Sequence, residues 1–187
     1  MDPYEFDTSF ARLSLLDKIK QDAVCAEVGV LKGDYAHLIS LLPISKLYLI
    51  DPWVTIKDVP DRWHDVEQQT MNEYKSDVYK RFSENKSIKI VEKYSADAVL
   101  DFEDDYFDWI YLDANHSYDF VKQDLENWWP KIKNQGFICG NAYTDNTFAR
   151  DVLDFGVIPA VDNFLEEKLE EICDFEVAES QFAIQKK

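Results

Sequence analysis

The chain has 187 residues, 46% of them hydrophobic with 5 Trp, 10 Tyr and 12 Phe, which excludes a disordered polymer and suits one domain over residues 1–187. A formal net charge of −17 argues against nucleic acid or an anionic membrane surface as partner, because both demand a cationic footprint. Two runs carry much of that charge: nine acidic residues against Lys122 between Asp101 and Glu126, and eight against Lys168 between Asp162 and Glu179. Both read as solvated faces.

Cys25, Cys139 and Cys173 are odd in number and far apart, and each sits in an apolar run, so buried free thiols are expected. No Cys/His cluster has zinc-ligand spacing. No apolar run approaches membrane-spanning length and "MDPYEFDTSF" has no basic-then-apolar signal, so a cytoplasmic protein is expected.

Phe10, Leu13, Leu16 and Ile19 recur at helical spacing. Residues 23–30 are nearly all apolar, as in a strand buried on both faces, and run into Glu27-Val28-Gly29 with a second glycine at Gly33. Tyr35, Leu38, Ile39 and Leu42 predict a helix closed by Pro43, and residues 47–51 a second strand ending at Asp51. This strand–glycine turn–helix–strand unit has the layout of a nucleotide site. The glycines permit a tight turn and close approach of a ligand. Asp51, 22 residues after Gly29, stands where a carboxylate can hold two ribose hydroxyls.

Residues 54–86, with Pro60 and then a stripe of Met71, Tyr74, Val78 and Phe82, are long for a connection. Such an insertion can cover an acceptor site or be an ordinary surface helix. A strand over 87–93, a short helix over 96–100 and a strand over 107–112 ending in Asp113 follow. Val121, Leu125, Trp128 and Ile132 predict a helix distorted by Pro130, and Gly136 introduces a fifth strand, "FICGNAY". A helix near Pro159 leads to two β-like runs with so short a link that they must pair antiparallel. The alternation predicts an α/β fold, a parallel sheet with helices on both faces.

The pattern Glu27-x-Gly29-x-x-x-Gly33 lacks the G-x-G-x-x-G of nicotinamide enzymes, which makes a dinucleotide a poor expectation. The segments "AEVGVLKGDY", "LIDPW", "YLDANHSYDFVKQDLENWWPKIKNQGFICGNAY" and "GVIPAVDNFLEE" resemble the class I S-adenosylmethionine-dependent methyltransferases. The closest branch is methyltransferase family 24, which includes macrolide-sugar O-methyltransferases. The resemblance implies a Rossmann-like seven-stranded sheet of order 3-2-1-4-5-7-6 with strand 7 antiparallel. It also implies that Glu27, Gly29 and Gly33 surround the methionine part of S-adenosylmethionine and that Asp51 holds the ribose. Pro52 and Trp53 would shape the adenine side, Ser95 and Ala96 would border the ring, and Asp113 would lie beside the sulfonium.

Methyl transfer demands alignment of a nucleophile, and proximity alone is worth ~7–11 kcal/mol of a barrier. A hydroxyl acceptor also needs a base or a cation. Asp113 and His116 are the catalytic candidates, His116 as base or ligand, its other reading being a structural histidine. A magnesium ion would rest on Asp113 and Asn141. Relatives of this type usually carry Gly-His-Asp-Tyr where this chain has Gly140-Asn141-Ala142-Tyr143, and one carboxylate with one amide makes a poor site for a hard cation unless Asp145 bends back. His37 is expected on a solvent edge and His64, beside Trp63, as a second-choice base. Trp109, Trp128 and Trp129 suit the core. The expectation is methyl transfer to a hydroxyl of a small polar metabolite or sugar, by a protein that can also be a homo-oligomer. Asn141 and Ala142 motivate the alternative, a cofactor-binding protein impaired in catalysis with a regulatory or interaction role.

Overall fold

The computed structural model describes residues 8–55 and 66–187, so Pro60, Trp63 and His64 lie outside the described residues. Seven strands form one sheet: β1 (Val24–Val28), β2 (Lys46–Ile50), β3 (Ile88–Val91), β4 (Phe107–Leu112), β5 (Ile132–Gly140), β6 (Ile172–Ala178) and β7 (Gln181–Lys186). Their order is β3-β2-β1-β4-β5-β7-β6. The first five pair in parallel, and β7 runs antiparallel to both β5 and β6. This is the implied Rossmann-like order.

The helices are α1 (Thr8–Leu16), α2 (Asp34–Ser40), α3 (Gln68–Phe82), α4 (Ser95–Ala98), α5 (Tyr118–Trp128), α6 (Thr147–Asp151) and α7 (Val157–Glu167). One face of the sheet packs its apolar side chains with Val121, Leu125 and Trp128 of α5 and Ala160, Val161 and Phe164 of α7. The other face packs with Leu15 of α1, Tyr35, Ala36 and Ile39 of α2, and Met71, Val78 and Phe82 of α3. Alternation along β1 divides it between them: Ala26 and Val28 face the first core and Cys25 the second. Trp109, Trp128 and Trp129 are buried as expected.

Local departures have local causes. The second helix stops at Ser40, three residues before Pro43, and Leu41 and Leu42 close it with i→i+3 bonds to Leu38 and Ile39. Pro130, lacking an N–H, turns the end of α5 into a tighter 3-10 turn over Trp129–Lys131. The fifth strand begins at Ile132 rather than Gly136, with a register shift opposite Phe107–Trp109. The short helix α6 was not legible in composition; Asn146 caps it by accepting from the Phe148 and Ala149 amides.

Cys25 and Cys139 are fully buried, whereas Cys173 is exposed, which corrects the expectation for it. Its strand β6 lies at the edge of the sheet, where an apolar sequence run no longer implies burial. Burial also pushes the Cys25 thiol up to about 12. Native protein should therefore react with one equivalent of a thiol reagent and denatured protein with three. Rapid native labelling of two or more would contradict the placement.

Candidate functional site

The crossovers from β1 run towards β2 and β3, and those from β4 towards β5, so a crevice opens at the carboxyl ends of the central strands. A cavity of about 640 Å³ occupies it, bordered by Glu27, Gly29, Asp51, Pro52, Ser95, Ala96, Asp113, His116 and Asn141. Backbone geometry draws these residues together. The Asp113 amide donates to Val28 O (2.8 Å) and the Gly29 amide to Ile50 O (2.9 Å). Gly29 has φ +88°, and a Cβ there would lie 2.2 Å from the Asp113 carbonyl oxygen, so glycine alone permits the approach.

Asp51 fixes the turn after β1. One carboxylate oxygen accepts from the Val30 and Leu31 amides (2.8 and 3.0 Å), the other from the Trp53 amide (2.7 Å). A carboxylate has about four acceptor positions, so capacity remains for a ligand hydroxyl. Gly33, at φ +72°, starts α2 and packs against Val78 and Phe82; it is absent from the cavity wall. Trp53 also departs from its expected place. Its φ of +47° turns the side chain inward, where it is buried and donates its indole N–H to Leu31 O (2.8 Å). It braces the turn from beneath instead of flanking a ligand.

Asp113 is the hub of the other half. Its Oδ2 accepts from the Arg12 guanidinium at 2.5 Å, and its Oδ1 from Asn141 Nδ2 at 3.0 Å and His116 Nε2 at 3.2 Å. A carboxylate can only accept, so His116 carries its proton on Nε2. The His116 ring stacks on Phe155 at 4.5 Å. Asn141 is oriented in turn: its Oδ1 accepts from Gln181 Nε2 (2.6 Å), and Gln181 Oε1 accepts from the Tyr111 hydroxyl (2.7 Å). Burial works to raise the Asp113 pKa, but Arg12, then His116 and Asn141, outweigh it and hold the carboxyl below the ordinary range. Burial likewise opposes the Arg12 charge; Asp113, with Tyr111 and Glu27, more than restores it. The guanidinium also lies over the Tyr35 and Tyr111 rings, 5.5 and 5.6 Å from their centroids.

Glu27 is buried, and its Oε2 makes no hydrogen bond. Burial drives its pKa well above the usual range, with Arg12 opposing. On the far side, the Ser95 hydroxyl donates to Asp124 and accepts from the Trp128 indole N–H (2.8 Å). Burial pushes the Asp124 carboxyl up to about 6, the Ser95 bond acting against it. Asp124 falls in an acidic run expected to be a solvated face, and it is buried on the cavity wall instead. His37 is exposed on α2 as expected.

The donor set does not fit magnesium. Both Asp113 oxygens are taken by N–H donors, Asn141 presents its amide hydrogens to that carboxylate, Ala142 offers no ligand, and Asp145 is exposed. Among the described residues no cluster of three or more His, Cys, Asp or Glu has ligating geometry.

The model of a methyltransferase domain family, methyltransferase 24, matches residues 26–143, from β1 to just past β5. The chain belongs to this family, a class I S-adenosylmethionine-dependent methyltransferase fold. Solved structures share that fold at low identity. The N-methyltransferase NodS from Bradyrhizobium japonicum aligns over 98% of this chain and 97% of its own at 12% identity, TM-score 0.62. An S-adenosylhomocysteine-bound methyltransferase from Podospora anserina, PaMTH1, covers 95% and 76% at 16% identity, TM-score 0.62. A SAM-dependent methyltransferase from Aquifex aeolicus covers 93% and 87% at 15% identity, TM-score 0.59. No curated protein sequence matches the chain.

Arg12 lies outside the matched region and was not anticipated, and neither were Gln181 and Asp124. The Arg12–Asp113 pair predicts a measurable linkage. Arg12→Met leaves the half-buried Asp113 carboxylate without its main partner and should cost about 2–4 kcal/mol at pH 7. Because the Asp113 pKa is depressed in the fold, the pair stabilises above the unfolded carboxylate range and is lost as pH falls through the folded value. Denaturant unfolding should show the variant's deficit shrinking as pH is lowered from 7 to below about 4. A deficit independent of pH would contradict the pairing.

Proposed function

We propose that this methyltransferase-family protein binds S-adenosylmethionine in the cavity and transfers its methyl group to a hydroxyl of a small polar metabolite or sugar. One observation carries the cofactor half: Glu27 Oε2, a buried carboxylate oxygen without a hydrogen bond, on the wall of a cavity that also holds Asp51 and Asp113. A buried acceptor left unmatched is costly, and an ammonium donor satisfies it. Glu27 would hold the amino group of the methionine part, with Gly29 beside it, while Asp51 takes the ribose hydroxyls and Pro52, Ser95 and Ala96 border the adenine. The bound cofactor supplies a methyl group already activated on sulfur.

The residues around Asp113 supply orientation. Asp113 orients His116 through Nε2, and the Asp113 charge would stabilise the imidazolium that forms when an acceptor hydroxyl gives its proton to His116. The acceptor end combines Thr144, Asn146 and Ser180 with Phe148, Leu153 and Phe155, and Val54 and Met71 of the 54–86 connection also border the cavity. This mixture supports a small acceptor with polar groups and an apolar portion. The donor set around Asp113 supports a reaction without magnesium.

The second reading, a cofactor-binding protein impaired in catalysis, draws on the same engagement of Asp113 by Arg12, Asn141 and His116. Calorimetry with S-adenosylhomocysteine and a labelled-methyl screen of hydroxylated metabolites separate the readings. The proposal expects one site per chain, affinity unchanged by a chelator, and at least one acceptor whose methylation falls 100-fold or more in His116→Ala. Binding with no acceptor methylated favours the second reading. No binding at all overturns both.

A further inference from the structure

The wall of the cavity is unevenly charged. Among the described residues, the carboxyl side chains of Glu27, Asp34, Asp51, Asp113 and Asp124 border it, against the cations Arg12 and Lys32. Lys32 is exposed and lies over the Tyr74 ring, 5.2 Å from its centroid. Arg12 is only 20% exposed along its side chain, and its guanidinium is held in place by Asp113 and by the Tyr35 and Tyr111 rings. Its one side-chain hydrogen bond among the described residues runs from Nη2 to Asp113 Oδ2; Nε is buried without an acceptor, and Nη1 makes no bond. A guanidinium keeps its charge and has five N–H donors, so most of this fork is unspent. An oxygen that loses its proton develops negative charge, and a wall of carboxyl groups repels that charge. Arg12 is where this wall attracts it. The same carboxylate joins it to the proposed base, since Arg12 meets Asp113 Oδ2 and His116 meets Oδ1, and both border the cavity.

We propose that Arg12 is a catalytic residue: its guanidinium donates a hydrogen bond to the acceptor's hydroxyl oxygen and stabilises the negative charge that develops there, the task a divalent cation would otherwise perform. The inference rests on the proposed methyl transfer and names the group that stands in for a metal in it. The hydroxyl proton passes to His116, the oxygen's electron pair forms the new bond to the methyl carbon, and the pair of the broken S–C bond stays on sulfur. Arg12 holds the oxygen and neither gains nor loses a proton. Donors fixed in this way need no reorganisation as charge develops. Asn141 and Ala142, where relatives of this type carry histidine and aspartate, offer a divalent cation no carboxylate to share with Asp113, and the guanidinium supplies the fixed positive charge instead. A merely structural Arg12, spent on pairing with Asp113, would leave the wall anionic and favour a neutral hydroxyl.

The test uses 4-nitrophenol, a small hydroxyl compound whose anion absorbs visible light, titrated with pH in the presence of the full chain saturated with S-adenosylhomocysteine. The wild-type complex should bind the anion about tenfold or more tightly than the neutral form, read as a bound pKa lowered by about one unit or more. Arg12→Met should abolish or invert that preference, and Lys32→Met should leave it within about twofold. Equal or tighter binding of the neutral form by the wild type overturns the inference while leaving the cofactor reading intact, and it needs no variant to fold. Failure of the complex to bind either form does the same. A preference that persists in a folded Arg12→Met, or that is lost in Lys32→Met, overturns it as well. Failure of the wild type to bind S-adenosylhomocysteine overturns the cofactor reading and this inference with it.

Discussion

The ion pair between Arg12 and Asp113 organises the functional end of the molecule. A carboxylate at the tip of a central strand is an expensive group to bury, and Asp113 stays ionised because a guanidinium meets one oxygen at 2.5 Å while an amide and an imidazole donate to the other. The consequence reaches beyond the pair. Asn141 is turned by Gln181, which is turned by Tyr111, so a relay from β4 through β7 and the residue after β5 ends on Asp113 Oδ1. A chain of oriented donors of this kind fixes geometry more than it adds stability. It also fixes chemistry, because it determines which His116 nitrogen is protonated and balances the Asp113 charge with a guanidinium.

The topology explains why such a hub can exist. Strand β1 lies between β2 and β4, so the loops after β1, β2 and β4 open into one crevice. Gly29 lets the first of them press against the carbonyl of Asp113. The crevice then divides by charge. Glu27 and Asp51 border the part proposed for the cofactor, and Asn146, Thr144 and Ser180 line the part proposed for the acceptor, with aromatic neighbours.

What was legible in the sequence was whatever is local or periodic. Gly29, Asp51 and Asp113 announce themselves because each ends an apolar run at a strand tip, and the terminal hairpin follows from a link too short for anything else. The sheet order came through resemblance to a family, and the structure carries it. What stayed hidden depends on contacts distant in sequence or on a single dihedral angle. Arg12 reads as an ordinary charge in an amphipathic helix, and its partner is 101 residues away. Gln181 opens an apolar strand and gives no sign that it orients Asn141. Asp124 was lost in an acidic run, since charge counts cannot tell the one inward residue of a helix from its solvated neighbours. Trp53 was placed beside the ligand because of its position after Asp51, but its positive φ sends the indole into the core.

The central claim is that Asp113 serves as the anchor of a protein network and not as a metal ligand. A crystal structure of the full chain grown with S-adenosylhomocysteine and magnesium tests it most directly. The account predicts ligand density with its amino group on Glu27, Arg12 still paired with Asp113, and Asn141 still donating to that carboxylate. A cation coordinated by Asp113 and the Asn141 carbonyl, with Arg12 displaced, would contradict it.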